Sequence, residues 1–270
     1  MSLYQKDDNP LPAPEAPKVL PLVPRPPNSE PTATLGTTTQ KDKEDIRNNP
    51  IQYYVKASFM ITYILLLTTA TITFIEAMRT KIADVRHVLN LETCISIVAG
   101  YFYSVFLGQI EGYGREDKPV DWKDITKTRY IDWTITTPLM LLALCIVLGS
   151  NINKKAGLGT LLIILFLNYL MLLFGFFGET KVLSRAFATI GGFVPFVTMF
   201  YLVYINFVKP KYVFANYVLF FFYVFVWALY GLVYLLPETW KNISMNVLDC
   251  ISKCFIGVGL WLYYSRTVSF

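Results

Sequence analysis

Charge is scarce in this sequence. Only 16% of its 270 residues are Asp, Glu, Lys or Arg, where a soluble domain carries about a quarter. The formal net charge is +5, yet no basic run exceeds a few residues, so nucleic acid has no support as a partner. Histidine is almost absent: His87 stands alone, at the mouth of the second apolar block, where it reads as an interfacial residue. Cysteine is sparse too. Cys94, Cys145, Cys250 and Cys254 all fall inside apolar stretches with no metal-ligand spacing, so they read as buried thiols and exclude a disulfide frame. Proline is rare outside the first 50 residues, which hold ten of the fifteen. That segment is too polar to offset its ordering entropy and reads as a disordered or polyproline-like tail. It lacks the apolar core of a cleaved signal peptide, and the charged stretch Gln40 to Arg47 could start a short surface helix.

What is abundant is apolar and aromatic: 54% hydrophobic residues and 16% aromatic ones. They come in blocks, from Lys56 to Glu76, Val88 to Ile110, Tyr130 to Ile152, Ala156 to Gly178, Ala186 to Val208, Tyr212 to Leu236 and Ile243 to Tyr264. Each is long enough to cross a bilayer. With no water in the hydrocarbon, backbone groups must pair within each segment, so all seven are helices. The expected fold is an all-α membrane protein, a seven-helix bundle in a lipid bilayer. Arg79, Lys81 and Arg86 follow the first block, Lys154 and Lys155 the third, Lys209 and Lys211 the fifth, and Arg266 the seventh. The loop after the second is acidic, with Glu111, Glu116, Asp117, Asp121 and Asp124. The positive-inside rule then places the N-terminus outside and the C-terminus in the cytoplasm. The sequon at Asn242 to Ser244 lies too close to the membrane to be used.

Ionisable groups inside membrane helices are costly and default to functional hypotheses. Lys253 and Asp249 stand four residues apart and share one side of the seventh helix. Asp132 lies in the third, with Arg129 three residues before it and Thr136 four after it. Glu92 lies in the second. Two structural ion bridges, Lys253 with Asp249 and Arg129 with Asp132, are a poor account, because desolvation can exceed the Coulomb gain. A site that holds a buried cation explains two acids and two bases better.

These residues sit in motifs that resemble a family. Arg129-Tyr130-Ile131-Asp132-Trp133-Thr134-Ile135-Thr136-Thr137-Pro138-Leu139 looks like the third helix of the microbial (type 1) rhodopsins, and Asp249-Cys250-Ile251-Ser252-Lys253 looks like their retinal-lysine motif. Trp227, Tyr230 and Tyr234 match the spacing of their ring-packing aromatics. The resemblance covers roughly residues 53 to 266, with a loose similarity to the rhodopsins of algae and large algal viruses. The proline-rich tail over 1–50 lies outside it, and it implies a seven-helix retinal-binding domain over 51–270. It implies all-trans retinal as the cofactor, bound to Lys253 as a Schiff base. Asp132 and Asp249 would balance the resulting cation, Arg129 the excess negative charge, and Thr136 would hydrogen-bond Asp132 and tune it. Trp133, Thr137, Met171, Gly192, Phe196, Trp227, Tyr230 and Tyr234 would complete the retinal pocket. Thr137 and Asn168 look like the pair that bridges helices three and four. The protein is then not an enzyme but a light-driven device of the plasma membrane that handles protons or small cations. Homo-oligomers are common in the family, and no residue pattern here fixes a number.

Two departures bear on function. Proton pumps of the family usually place a carboxylate eleven residues after the counterion; here that position is Ala143, and no carboxylate occurs from Trp133 to Ile152. Glu92 is the candidate replacement, expected to approach Ala143 across the helix interface. Burial there favours the proton-carrying form that a donor needs. Glu76, near the end of helix one, could help form an inner vestibule. Lys241 stands where pumps often carry an acid, with Glu238 nearby. A light-driven outward proton pump with Asp132 as acceptor is the leading reading, and a light-gated cation channel is its rival. A sensory rhodopsin is the third.

Overall fold

The computed structural model describes residues 50–116 and 119–264, with side chains from Tyr53 onward. Residues 1–49, the helix expected at Gln40–Arg47, Asp117 and Arg266 lie outside them. Seven helices make up the described chain: α1 (Pro50–Arg79), α2 (Ala83–Arg115), α3 (Trp122–Asn151), α4 (Leu158–Glu179), α5 (Arg185–Val208), α6 (Phe214–Val233) and α7 (Glu238–Tyr264). Each is long and apolar enough to cross a membrane. No strand occurs among the described residues. The protein is a multi-pass integral membrane protein.

The helices close a ring. α1 packs on α2 and α7, α2 on α3, α3 on α4, α4 on α5, α5 on α6, and α6 on α7. Side chains on the outer faces, such as Ile61, Ile64, Phe166, Val197 and Phe225, are exposed, as expected where hydrocarbon is the solvent. The two largest apolar clusters fill much of the ring. One joins α3, α4, α5 and α6 through Leu141, Leu144, Ile164, Met199, Phe207 and Phe220. The other joins α1, α2 and α3 through Phe59, Leu66, Tyr103, Phe106 and Ile125.

Several helices extend beyond the apolar blocks. α3 begins at Trp122, where the Asp121 carboxylate accepts from the Lys123 amide at 2.9 Å and caps the helix. The turns before Tyr130 carry Lys123, Asp124 and Lys127, so hydropathy alone does not register them. α7 changes register in its middle: Cys250–Phe255 forms a π-helical segment around Lys253. Such segments are frequent at functional sites, and this one falls on the residue that carries the buried amine; a second, Tyr204–Val208, ends α5. Cys94 is a correction. It lies on an exposed face of α2, whereas Cys145, Cys250 and Cys254 are buried as expected, and all four are free thiols. His87 is exposed in the first turn of α2.

Candidate functional site

Lys253 is 1% exposed and Asp132 and Asp249 are each 0% exposed, so their charges must be balanced inside the bundle. The Lys253 Nζ donates to Asp132 Oδ2 at 2.9 Å and lies 3.5 Å from Asp249 Oδ2. Arg129 pairs with Asp249, its Nη1 3.6 Å from Oδ2. The lysine therefore bridges both carboxylates and the arginine sides with Asp249; the four charges form one cluster and not two separate bridges.

The two carboxylates differ in their surroundings. Asp249 accepts from Tyr230 at Oδ1 (2.6 Å) and from Tyr103 at Oδ2 (2.8 Å). Tyr230 also lies 2.9 Å from the Ser252 hydroxyl. Asp132 has Lys253 on Oδ2, and its Oδ1 has no hydrogen-bond partner among the protein groups. Thr136 does not supply one. Its hydroxyl donates to the main-chain carbonyl of Asp132 at 2.9 Å, the usual back-bond of a helical threonine; this corrects the expected contact with the carboxylate.

Tyr103, Asn242 and Asn246 belong to the same network and were missed from the sequence. Arg129 Nη2 donates to Asn246 Oδ1 at 2.9 Å and to Asn242 Oδ1 at 3.3 Å. Asn246 Nδ2 donates to Ser58 Oγ of α1 at 2.9 Å. The guanidinium also stacks over Phe59 and Phe106, 5.3 and 5.1 Å from their ring centres. The spacing of Asn242, Asn246, Asp249 and Lys253, in steps of four, three and four, is the signal that would have found the asparagines. Asn242 is 1% exposed and donates to the Glu238 carbonyl, so the bundle itself rules the sequon out as an attachment site.

Beside Lys253 lies an apolar chamber between the helices, concave and mostly hydrophobic as small-molecule sites are. Lys253, Trp133, Thr137, Met171, Gly192, Phe196, Trp227, Tyr230 and Tyr234 all line it. Trp133 meets Tyr230 edge-on at 5.5 Å, and Trp227 meets Phe200 in the same way at 5.7 Å. A methyl group added at Gly192 would meet nothing closer than 3.6 Å; backbone packing does not demand a glycine there, and its small size widens the chamber. Asn168 donates to the Thr137 hydroxyl at 2.8 Å, tying α4 to α3. One amine, a nearby counter-charge and aromatic walls are what a polyene aldehyde needs, and the residues present fit it.

Glu92 is 1% exposed, and its Oε1 has no partner. Its Oε2 lies 3.3 Å from where a Cβ on Gly257 of α7 would stand. At the end of the bundle that carries Glu76, a second chamber is lined by Glu76, Arg79, Thr80, Leu89, Trp261 and Tyr264. Arg79 pairs with Glu76 at 3.0 Å.

At the opposite end Lys241, 1% exposed, reaches Glu179 and Glu238 at 2.9 Å each. Arg185 adds a bond to Glu238 at 2.8 Å. This quartet ties α4, α5 and α7 together around Lys241, the residue that stands where pumps of the family often carry an acid. Lys241→Ala leaves Glu179 buried and without its main partner. A loss of about 3–5 kcal/mol is expected, read as a lower temperature of unfolding; an unchanged temperature would show that the quartet does not hold the helices.

A ring of seven membrane helices around a buried lysine, two carboxylates and an aromatic chamber defines a membrane photoreceptor or transporter of retinal type. The comparisons agree. The model of the bacteriorhodopsin-like protein family matches residues 54–267, and the chain belongs to that family. It is 40% identical to viral rhodopsin OLPVRII, whose crystal structure superposes with a TM-score of 0.73 over 80% of this chain and 99% of that one. It is 25% identical to a green-light absorbing proteorhodopsin of Gamma-proteobacterium EBAC31A08, over 77% of this chain and 85% of the relative. It is 26% identical to the bacteriorhodopsin of Halobacterium salinarum, over 72% and 77% respectively. Membership implies retinal as the chromophore and light-driven ion transport, and excludes an enzyme.

Proposed function

We propose that the protein is a light-driven outward proton pump. Lys253 holds retinal as a Schiff base, and Asp132 accepts the proton from its nitrogen. One observation carries this reading: Asp132 sits 2.9 Å from Lys253 Nζ with its second oxygen unpartnered, while both oxygens of Asp249 accept from tyrosines. When bound, retinal absorbs light and isomerises, which changes the aim and basicity of the Lys253 nitrogen. Asp132 has an open position for the proton. Asp249, held by Tyr230, Tyr103 and Arg129, keeps the compensating negative charge. Glu92 returns a proton to Lys253 from the other side, in place of the carboxylate that Ala143 lacks.

The reading takes residues 51–270 as the retinal-binding domain of a plasma-membrane protein and the tail over 1–50 as extracellular. Its support is the basic loop residues Arg79, Lys81, Lys154, Lys155, Lys209 and Lys211 at the Glu76 end. Outward transport then runs from the Glu76 end toward the Lys241 end. A second reading, a light-gated cation channel, is favoured by the chamber that Glu76 shares with Trp261 and by the partnerless buried Ser96 one turn from Glu92.

Photocurrents recorded in a voltage-clamped cell supplied with retinal decide between them. A pump gives an outward current at every voltage tested. A current that reverses near an ion's equilibrium potential contradicts the pump and selects the channel. No current would contradict both and leave sensing.

A further inference from the structure

We infer that Gly257 and Trp261 of α7 form the entry side of the Glu92 site, and that protons reach Glu92 from the Glu76 chamber past Trp261. This route rests on the donor role proposed for Glu92. Lys253, Gly257 and Trp261 follow one another at four-residue spacing and share a face of α7. A Cβ on Gly257 would stand 2.9 Å from Thr69 Cγ2 and 3.3 Å from Glu92 Oε2. The glycine is therefore the notch that admits the carboxyl between α1, α2 and α7.

Nothing in the notch holds that carboxyl. The nearby hydroxyls of Thr73 and Thr93 lie 2.8 Å from each other and donate back to their own helices. Glu92 Oε1 is left without a partner, and so is the buried Nε1 of Trp261 one turn along α7. Ser96 Oγ, four residues beyond Glu92 toward Lys253, is the third such atom on this side. Buried polar atoms without partners are costly and rare. Three at neighbouring turns of α2 and α7, an acceptor, a donor and a hydroxyl, suit a path on which water or a proton is handed on.

The path meets the aqueous side. Trp261 lines the Glu76 chamber, as does Leu89, one turn before Glu92 on α2. The indole thus stands between the chamber and the carboxyl. The step balances simply: after Glu92 gives its proton to the Lys253 nitrogen, one proton from the solution at the Glu76 end passes Trp261 and restores the neutral carboxyl. Trp261 and Gly257 are positioning residues here; Glu92 alone carries the proton.

The test uses the full chain with retinal in lipid vesicles. Two quantities are recorded after a flash: the recovery of visible absorbance, and the infrared carbonyl band assigned to Glu92 by its loss in Glu92→Gln. Glu92→Gln should slow recovery on the order of 100-fold. Trp261→Phe keeps an aromatic side chain and removes the N–H; it should slow recovery several-fold and shift the Glu92 band. Gly257→Ala should do the same by crowding the carboxyl, and if that variant does not fold, Trp261→Phe decides. Formate in the buffer, a small acid able to bypass the indole, should restore the rate in Trp261→Phe. If Glu92→Gln slows recovery but Trp261→Phe moves neither rate nor band, the route is wrong while the donor stands. If Trp261→Phe slows recovery with the band unmoved, the effect is general packing and the route is also wrong. An unaffected Glu92→Gln removes the donor, and the route with it.

Discussion

Lys253→Ala should give a protein with no visible absorbance when supplied with retinal. Among the described residues, Lys253 is the sole lysine on the chamber wall. Lys241, the other buried lysine, lies outside that wall and is held by Glu179 and Glu238. A colourless alanine variant could also reflect misfolding, because removal of the amine leaves Asp132 and Asp249 facing Arg129 alone, a cost of about 3–5 kcal/mol. Lys253→Arg separates the two causes. It keeps the positive charge between the carboxylates and supplies no amine for the linkage, so it should fold and remain colourless. An absorption spectrum with a surviving visible band in either variant would move the anchor elsewhere.

Asp132→Asn should shift the absorbance to the red and cut transport on the order of 100-fold. Excitation of a bound polyene cation moves positive charge away from the nitrogen, so a nearby anion favours the ground state and widens the gap. Asp132 is the nearer anion, 2.9 Å against 3.5 Å for Asp249. A pair of charges about 4 Å apart in a partly polar interior is worth roughly 4 kcal/mol, so its loss is large on an optical scale. Asp249 shares its charge with Arg129, Tyr103 and Tyr230; Asp249→Asn should therefore shift the band less. Spectra of the two variants check the order, and a larger shift for Asp249→Asn would exchange their roles.

The seven spans were legible because lipid imposes a length of about 20 apolar residues on every crossing helix. The charged side chains Lys253, Asp249, Asp132 and Arg129 were legible because a charge inside such a run has no cheap structural explanation. What carried no such signal was neutral and polar. Tyr103 sits among other aromatics of α2, and Asn242 and Asn246 read as ordinary residues near a helix start, yet all three hold Arg129 and Asp249 in place. The closeness of Glu92 to Gly257 of α7 was not legible either, because the meeting of helices distant in sequence depends on how the ring closes. The hydroxyl of Thr136 had two local acceptors within reach, and the main-chain carbonyl four residues back took it.

The central claim is that Asp132 takes the proton from the Lys253 nitrogen. Time-resolved infrared spectroscopy on the full chain with retinal tests it most directly, because a carboxylate that gains a proton acquires a carbonyl stretching band. A new carboxyl band should rise together with the loss of visible absorbance, vanish in Asp132→Asn and persist in Asp249→Asn. A band that survives in Asp132→Asn would contradict the claim and assign the proton to another group.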